Sequence, residues 1–370
     1  MATPNEFIHK RVAANLAPLY LASFLEKHGV PVEIRIKDRL EDLEDFQPDV
    51  LGVSSVTENI ETAKKLARKA KEKWNSLTIL GGVHITALPQ SLPGEFDLGV
   101  VGEGEETLKE VLEGWNQSHG FDLTGLNKIK GLVYHQKKGL HFTGFRPGLE
   151  CLDEIPVPKR ELFIKNSPIT YMMTSRGCPY TCHFCVIPKT SKGYRVHSPE
   201  YVVEEIKSIV THYPEVKNIR IFDDLYIVHR ERVEEIADRI VAEGLHQELS
   251  FGCWGRANLI DEALVDTFQK MNMVHVAFGA ESGSSRVLSK IKPGVTLEEN
   301  QRALEMLDDH GIRVACSVIL GHPEESEADL MATHDFLAKN MDRLFDVEFN
   351  VAIPWPGTDL WDFAKDKGWV

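Results

Sequence analysis

The sequence predicts an α/β protein built from two parallel-sheet units in tandem. Three observations carry this. Short apolar runs alternate with amphipathic runs at helical spacing, the pattern of strands joined by crossover helices. The alternation has a short period up to about residue 125 and a longer one from residue 168 onward. Between them, residues 126–167 interrupt it with a hairpin signal and a run containing Pro147, Pro156 and Pro158, which marks a linker.

In the first unit, strands are expected at Val32–Lys37, Val50–Val56, Leu77–Leu80 and Leu98–Val101, with helices at 17–28, 58–73 and 105–115. Strict alternation means a doubly wound sheet with helices on both faces. Such sheets take ligands at the carboxyl ends of their strands. Here those ends carry Ser54 and Ser55, then Gly81, Gly82 and His84, then Gly102, Glu103 and Gly104. The glycines allow close backbone approach to a ligand, and the same glycines also serve tight turns. Glu103 and Glu105 suit the dipole of the helix that begins beside them. The row of lysines and arginines from Lys64 to Lys73 forms the solvated side of one helix.

The joint from Lys130 to Thr143 alternates on both sides of Lys137-Lys138-Gly139 and reads as a hairpin. In the second unit, strands are expected at 169–174, 218–223, 249–253, 274–279, 314–320 and 347–353. Helices fill the gaps at 199–212, 229–243, 261–271, 297–310 and 325–339.

At 370 residues there is room for two ordinary cores. A net charge of −14 disfavours a nucleic-acid partner, which calls for a basic face. No long apolar run suggests a membrane span, and the amino terminus lacks the blocks of a signal peptide, so a cytoplasmic protein is expected. Of six cysteines, Cys151, Cys253 and Cys316 are scattered and read as packed core residues without a disulfide framework.

The other three, Cys178, Cys182 and Cys185, fall within eight residues of Thr174-Ser-Arg-Gly-Cys-Pro-Tyr-Thr-Cys-His-Phe-Cys-Val-Ile-Pro188. So many soft ligands in one loop suit iron-sulfur or zinc better than disulfides. Three thiolates leave one iron of a cubane cluster, or one position of a tetrahedral zinc, open to another ligand. A zinc knuckle completed by His183 or by a distant residue is the plain alternative.

The spacing Cys-x3-Cys-x-aromatic-Cys, with Phe184 as the aromatic, resembles the signature of radical S-adenosylmethionine (SAM) enzymes. The resemblance implies a 4Fe-4S cluster on Cys178, Cys182 and Cys185, with SAM chelated at the open iron and cleaved to a 5'-deoxyadenosyl radical. It implies a partial (β/α)6 barrel for residues 168–370, with its site on the loops after the strands. Asp223 or Asp224 is then expected near the SAM amino group, Arg256 at its carboxylate, Glu281 and Ser282 at the ribose, and Gly321 and Pro354 on the adenine side. Tyr180, Tyr194 and Tyr226 either approach a substrate or shield the cluster.

Gly81-Gly-Val-His-Ile-Thr-Ala-Leu-Pro89, Val101-Gly-Glu-Gly-Glu-Glu-Thr-Leu108 and the stretch from Ala17 to Gly29 are similar to the cobalamin-binding domain that precedes many radical SAM enzymes. That resemblance implies a Rossmann-like domain over residues 1–125, with cobalamin near Ser54, Ser55, Gly81, Gly82, His84 and Gly102–Gly104. His84 either caps a turn or touches the corrin ring. The Asp-x-His-x-x-Gly motif is absent, and residues 1–16 offer only Phe7, Ile8 and Val12 toward the family's first strand. The implied activity is methylation of an unactivated carbon of a small molecule, with flavodoxin or ferredoxin as reductant by analogy. A radical oxidoreductase or cyclase, and a non-catalytic cobalamin- or metal-binding module, are the alternatives.

Overall fold

The computed structural model describes residues 16–115, 123–162, 167–191 and 193–370. The expected first strand of the family falls at residues 1–15, outside the described residues.

The first sheet begins with β1 (Val50–Ser54), β2 (Leu77–Gly81) and β3 (Leu98–Val100), parallel and in that order. Leu77, Ile79, Leu98 and Val100 lie on one face, in a cluster with Val111, and Leu80 lies on the other with Ala63 and Ala67. This is the two-sided burial that the nearly continuous apolar runs require. The helices are α1 (Leu16–Lys27), α2 (Ile60–Trp74), the short α3 (Val83–Ala87) and α4 (Glu105–Gly114). The joint's hairpin, β4 (Leu132–Gln136) and β5 (Gly139–Phe142), pairs antiparallel along β3 and extends this sheet to five strands.

One expected strand is absent. Residues 32–37 alternate as a strand should, yet the backbone there pairs with no neighbour and carries no strand assignment. Ile36 is buried with Leu152 and Ile155 of the joint, and Val32 stays 40% exposed. The alternation records one buried face, and a buried face can be met by a loop packing on a helix as well as by a sheet.

The second sheet holds β6 (Ile169–Met172), β9 (Asn218–Ile221), β10 (Ser250–Gly255), β11 (Met273–Glu281), β12 (Arg313–Leu320) and β13 (Leu344–Val351), all parallel and neighbouring in chain order. The helices between them are α5 (Pro199–His212), α6 (Arg230–Ala242), α7 (Glu262–Lys270), α8 (Ser285–Ile291), α9 (Leu297–Asp309) and α10 (Glu327–Lys339), and α11 (Asp359–Asp366) follows β13. Sequential strand order with intervening helices is the partial barrel that the sequence implied. Its core is the largest of the molecule, with Ile206, Ile219, Val233, Phe251, Phe268 and Phe278 fully buried. Caps fix the helix starts: Ser198 accepts from Tyr201 N–H, Asp261 from Leu264 N–H, and Thr296 with Glu299 forms a reciprocal capping box.

The joint is bolted to the barrel by a buried ion pair. Arg160 donates to Glu205 of α5, and Tyr20 of α1 donates to the same carboxylate at 3.3 Å. Burial pushes the Glu205 carboxyl upward, against the pull of Arg160.

Candidate functional site at the facing sheet ends

The cysteine loop leaves the barrel after β6. It is closed at its base by a two-stranded ribbon, β7 (Ser175–Arg176) with β8 (Arg195–Val196). Gly177 at its start has φ +88°, and a Cβ there would meet the Gly193 carbonyl oxygen at 2.2 Å, so the neck of the loop admits only glycine. Two long-range backbone bonds hold the middle: His183 N–H donates to Ile291 C=O at 3.0 Å, and Leu360 N–H donates to His183 C=O at 3.1 Å. Cys178, Cys182 and Cys185 are partly buried free thiols. Burial pushes the Cys178 thiol up and the Cys185 thiol up to about 12, with the neighbouring cysteines adding to the rise. Cys178 and Cys185 are therefore protonated until a metal displaces the protons.

Among the described residues no three His, Cys, Asp or Glu side chains converge on a single ion. A multinuclear cluster makes no such demand, since its thiolates bind different irons. The donor set fits a cluster in one further respect. Arg256, buried at the end of β10, points Nη1 at Cys182 Sγ at 3.5 Å and stacks its guanidinium 3.9 Å over the Tyr180 ring. Hydrogen bonds to Asn258 and to the Pro293 carbonyl lock its orientation. A fixed cation beside a thiolate favours the charged form of the sulfur.

The barrel's other expected residues separate into two kinds. Asp223 is spent on local structure: its carboxylate accepts from Thr174 N–H at 2.5 Å, Thr174 Oγ1 at 2.6 Å and Ser175 Oγ at 2.7 Å. Asp224 lies one residue on and, among the described residues, accepts a single hydrogen bond, from Gly177 N–H at 3.0 Å. Loss of solvation raises both carboxyls. Glu281, 5% exposed, sits at φ +62° and pairs with Lys292 at 3.2 Å. Burial raises its carboxyl, and Lys292 and Arg256 oppose the rise. Ser282 turns away and is fully buried, with Oγ 3.3 Å from Thr333 Oγ1 and accepting from Ser284 N–H. Gly321, at φ +79°, donates to Glu325 at 2.6 Å, and Pro354 is half-buried beside the exposed Ile353. Phe184 is half-buried in the loop. Of the tyrosines, Tyr226 is wholly inside the core, while Tyr194 donates to the Leu225 carbonyl at 3.2 Å.

At the first sheet, Ser54 is exposed at the end of β1 and Ser55 is buried. Gly82 has φ +96°, and a Cβ on it would meet the Ser55 carbonyl oxygen at 2.7 Å. Gly81 and Gly102 have open space where a Cβ would stand. Val56 and Val83 remain more than 40% exposed on this rim. Bare backbone flanked by apolar side chains suits a broad, flat ligand. His84 is 7% exposed, with Nδ1 3.1 Å from Thr57 Oγ1 and Nε2 3.4 Å from Ser91 Oγ, and burial lowers its pKa. Both nitrogens are engaged, so it ties the turn together.

Glu103 joins the two units. It pairs with Arg176 at 3.3 Å and with Arg195, while Arg176 also reaches the buried Glu105 at 2.6 Å. Although burial works against each charge, the arginines hold Glu103 below the usual carboxylate range, and the glutamates hold Arg176 fully charged. Arg176 is two residues from Cys178, so the end of β3 is clamped to the neck of the cysteine loop. Gly357, following β13, approaches both Val186 and Ala87 of α3. The carboxyl ends of the two sheets thus face each other.

Residues 172–337 match the Radical SAM superfamily, and residues 11–112 match the B12 binding domain. An uncharacterized methyltransferase of Pyrococcus horikoshii is 32% identical over 98% of this chain and 81% of its own length. The chain belongs to the radical SAM superfamily. It is an enzyme of the branch that carries an amino-terminal B12 binding domain, and its cofactors are a 4Fe-4S cluster, SAM and cobalamin. The anaerobic magnesium-protoporphyrin IX monomethyl ester cyclase of Rubrivivax gelatinosus is 28% identical over 96% of the chain and 68% of that enzyme. The structure of TsrM from Kitasatospora setae, a radical SAM methyltransferase with cobalamin and a 4Fe-4S cluster bound, superposes with a TM-score of 0.81. It is 19% identical, over 97% of this chain and 76% of TsrM. That likeness confirms the two-domain fold. Membership settles iron-sulfur over the zinc knuckle, and an enzyme over a non-catalytic module.

Two of the expected core cysteines, Cys253 and Cys316, are buried, whereas Cys151 is exposed on the joint, where no apolar run surrounds it. Lys292, Arg176 and Arg195 were not singled out from the sequence. Lys292 had a faint signal, a lone lysine between Ile291 and Pro293-Gly294, but the arginines are unremarkable until the fold brings them to Glu103. No helix among the described residues is long and apolar enough to cross a membrane.

Proposed function

We propose that this enzyme transfers a methyl group from SAM, by way of cobalamin, to an unactivated carbon of a small molecule. The observation that carries it is the clamp of Glu103 and Glu105 on Arg176 and Arg195, which turns the open glycine rim of the first domain toward the cysteine loop. The methyltransferase relative of Pyrococcus horikoshii supports the same reading.

When bound, the cluster supplies the electron that cleaves SAM, and cobalamin supplies the methyl carrier. This chain's residues hold and shield them. We assign Cys178, Cys182 and Cys185 to the cluster and the half-buried Phe184 to its cover. Asp224, and not its spent neighbour Asp223, takes the SAM amino group. Arg256 offers positive charge to the SAM carboxylate while fixed beside Cys182. Glu281, held by Lys292, accepts from the ribose hydroxyls; Ser282 holds the turn that aims it. Gly321 and Pro354 border the adenine, and Gly81, Gly82 and Gly102 border the corrin. An external reductant of the flavodoxin or ferredoxin type delivers electrons.

The test is anaerobic reconstitution with iron and sulfide, addition of hydroxocobalamin, removal of excess by gel filtration, and assay of SAM products. Retained cobalamin together with S-adenosylhomocysteine formation is expected. A cyclase-type reaction, favoured by the Rubrivivax gelatinosus relative, predicts 5'-deoxyadenosine without S-adenosylhomocysteine. A protein that cleaves SAM but retains no cobalamin overturns methyl transfer.

A further inference from the structure

The opposite end of the barrel carries a polar layer that the radical chemistry does not use. One register row crosses five strands: Tyr171 on β6, Arg220 on β9, Gly252 on β10, His275 on β11 and Arg313 on β12. The row passes through the third residue of β6, β9, β10 and β11 and the first of β12, so on the three longer strands it lies near the amino end. Its chain neighbours Ile219, Ile221, Val276 and Val314 are buried in the core. Because successive side chains of a strand alternate between faces, the row lies on the sheet face opposite that core, where Tyr171 packs against the cluster of α1 and the joint.

Gly252 makes the row possible. A Cβ there would stand 2.9 Å from Arg220 Cδ, so the missing side chain lets Arg220 lie across β10 and set Nη1 2.9 Å from His275 Nδ1. Arginine can only donate, so His275 Nδ1 accepts and its proton resides on Nε2. Burial, with Arg220 and Arg313, lowers the His275 pKa to about 4, which keeps the ring neutral. The Phe345 ring edges His275 at 6.2 Å and lies 5.3 Å from the Arg313 guanidinium.

The charge balance of this layer is the unusual part. In a chain of net charge −14, most arginines sit against a carboxylate, as Arg68, Arg146, Arg176, Arg286 and Arg343 do. Among the described residues neither Arg220 nor Arg313 makes an ion pair; Arg220 Nε donates to Asn218 Oδ1 at 3.0 Å, and burial together with the charge of Arg313 lowers the Arg220 pKa. Asp346, the acid that enters the sheet beside Ala315, accepts from Val347 N–H and bonds to neither arginine.

We propose that the amino-terminal end of the barrel is a binding site for a phosphate-class oxyanion, held between Arg220, Arg313 and His275 Nε2–H. The three donors come from separate strands: Arg220 reaches His275 across β10, and Arg313 stands beside His275 in register. A tetrahedral oxyanion can accept from all three, whereas a planar carboxylate is satisfied by one guanidinium.

The experiment is calorimetric titration of inorganic phosphate, and separately of glycerol phosphate, into the full chain at constant ionic strength. Saturable one-site binding of either is expected; glycerol phosphate binding places the group on a larger ligand, and phosphate alone makes it a free ion. Arg313→Gln, at an exposed side chain, is expected to weaken binding roughly tenfold or more, and Arg313→Lys to restore part of it. Arg220→Gln follows the same direction; if it fails to fold, the Arg313 pair decides. The surface change Arg302→Gln is expected to leave binding unaltered. No saturable binding, equal competition by chloride, or equal loss in Arg302→Gln overturns the site.

Discussion

The rims of the two sheets face each other yet are built by opposite means. The first presents backbone: Gly81, Gly82 and Gly102 keep side chains out of the way, and its one histidine is turned inward and tied down. The barrel rim presents charged side chains, each fixed by a partner: Arg256 by Tyr180 and Asn258, Glu281 by Lys292, Asp224 by Gly177. The contrast follows from what each must hold. A large flat cofactor is gripped by shape over a wide area, whereas a zwitterionic amino acid head and a ribose are gripped by a few directed charges.

The comparison can be broken most severely at the barrel rim. Replacing Cys178, Cys182 or Cys185 by Ala is expected to reduce SAM cleavage to background, read as 5'-deoxyadenosine by chromatography, while cobalamin retention by the first rim persists. Cleavage surviving in any single variant removes that cysteine from the cluster.

Next in size is the clamp between the rims. Arg176→Ala leaves the buried Glu105 without its partner and is expected to cost about 3 kcal/mol in urea unfolding. Methyl transfer should fall further than SAM cleavage, because only the former needs both rims. Equal losses in the two would show that the clamp serves stability alone.

At the first rim, Gly82→Ala forces a side chain into a conformation open to glycine and against the Ser55 carbonyl. A loss of about 2 kcal/mol and of cobalamin retention is expected. Gly94→Ala, with free space around it on the amino side of β3, is the paired control: retention of cobalamin by Gly82→Ala, or its loss in Gly94→Ala, would reverse the assignment of the open surface.

The smallest effect concerns His197, which follows β8 and bonds Asp153 of the joint at 2.9 Å. Burial holds its pKa down at about 4 in spite of Asp153. The unfolded chain binds this proton near pH 6.5 and the folded one does not, so stability is full above about 6.5 and falls as pH drops toward 4. Between pH 7 and 5.5 the loss is expected to be about 1 kcal/mol, and His197→Gln should flatten that limb of the unfolding profile. An unchanged slope shows that His197 is not the group responsible.

Periodicity determined much of this protein. The barrel strands, the helix at Pro199–His212, the hairpin and the cysteine loop were all legible, because alternation, helical spacing and ligand spacing are local properties of the chain. The stretch from Val32 to Lys37 shows the limit of that logic: alternation reports a buried face and is silent on whether the backbone finds a neighbour. The division of labour between Asp223 and Asp224 was equally hidden, since adjacent residues in a sequence look alike until one turns into Thr174 and Ser175. Only the tertiary structure could decide that Glu103 meets Arg176 and Arg195, that Lys292 stands behind Glu281, and that Arg220 crosses a glycine to reach His275. The first and last of these join residues 55 or more apart in the chain, and the second spans the whole of α8; the strength of a charge depends on what folding brings within a few ångströms of it.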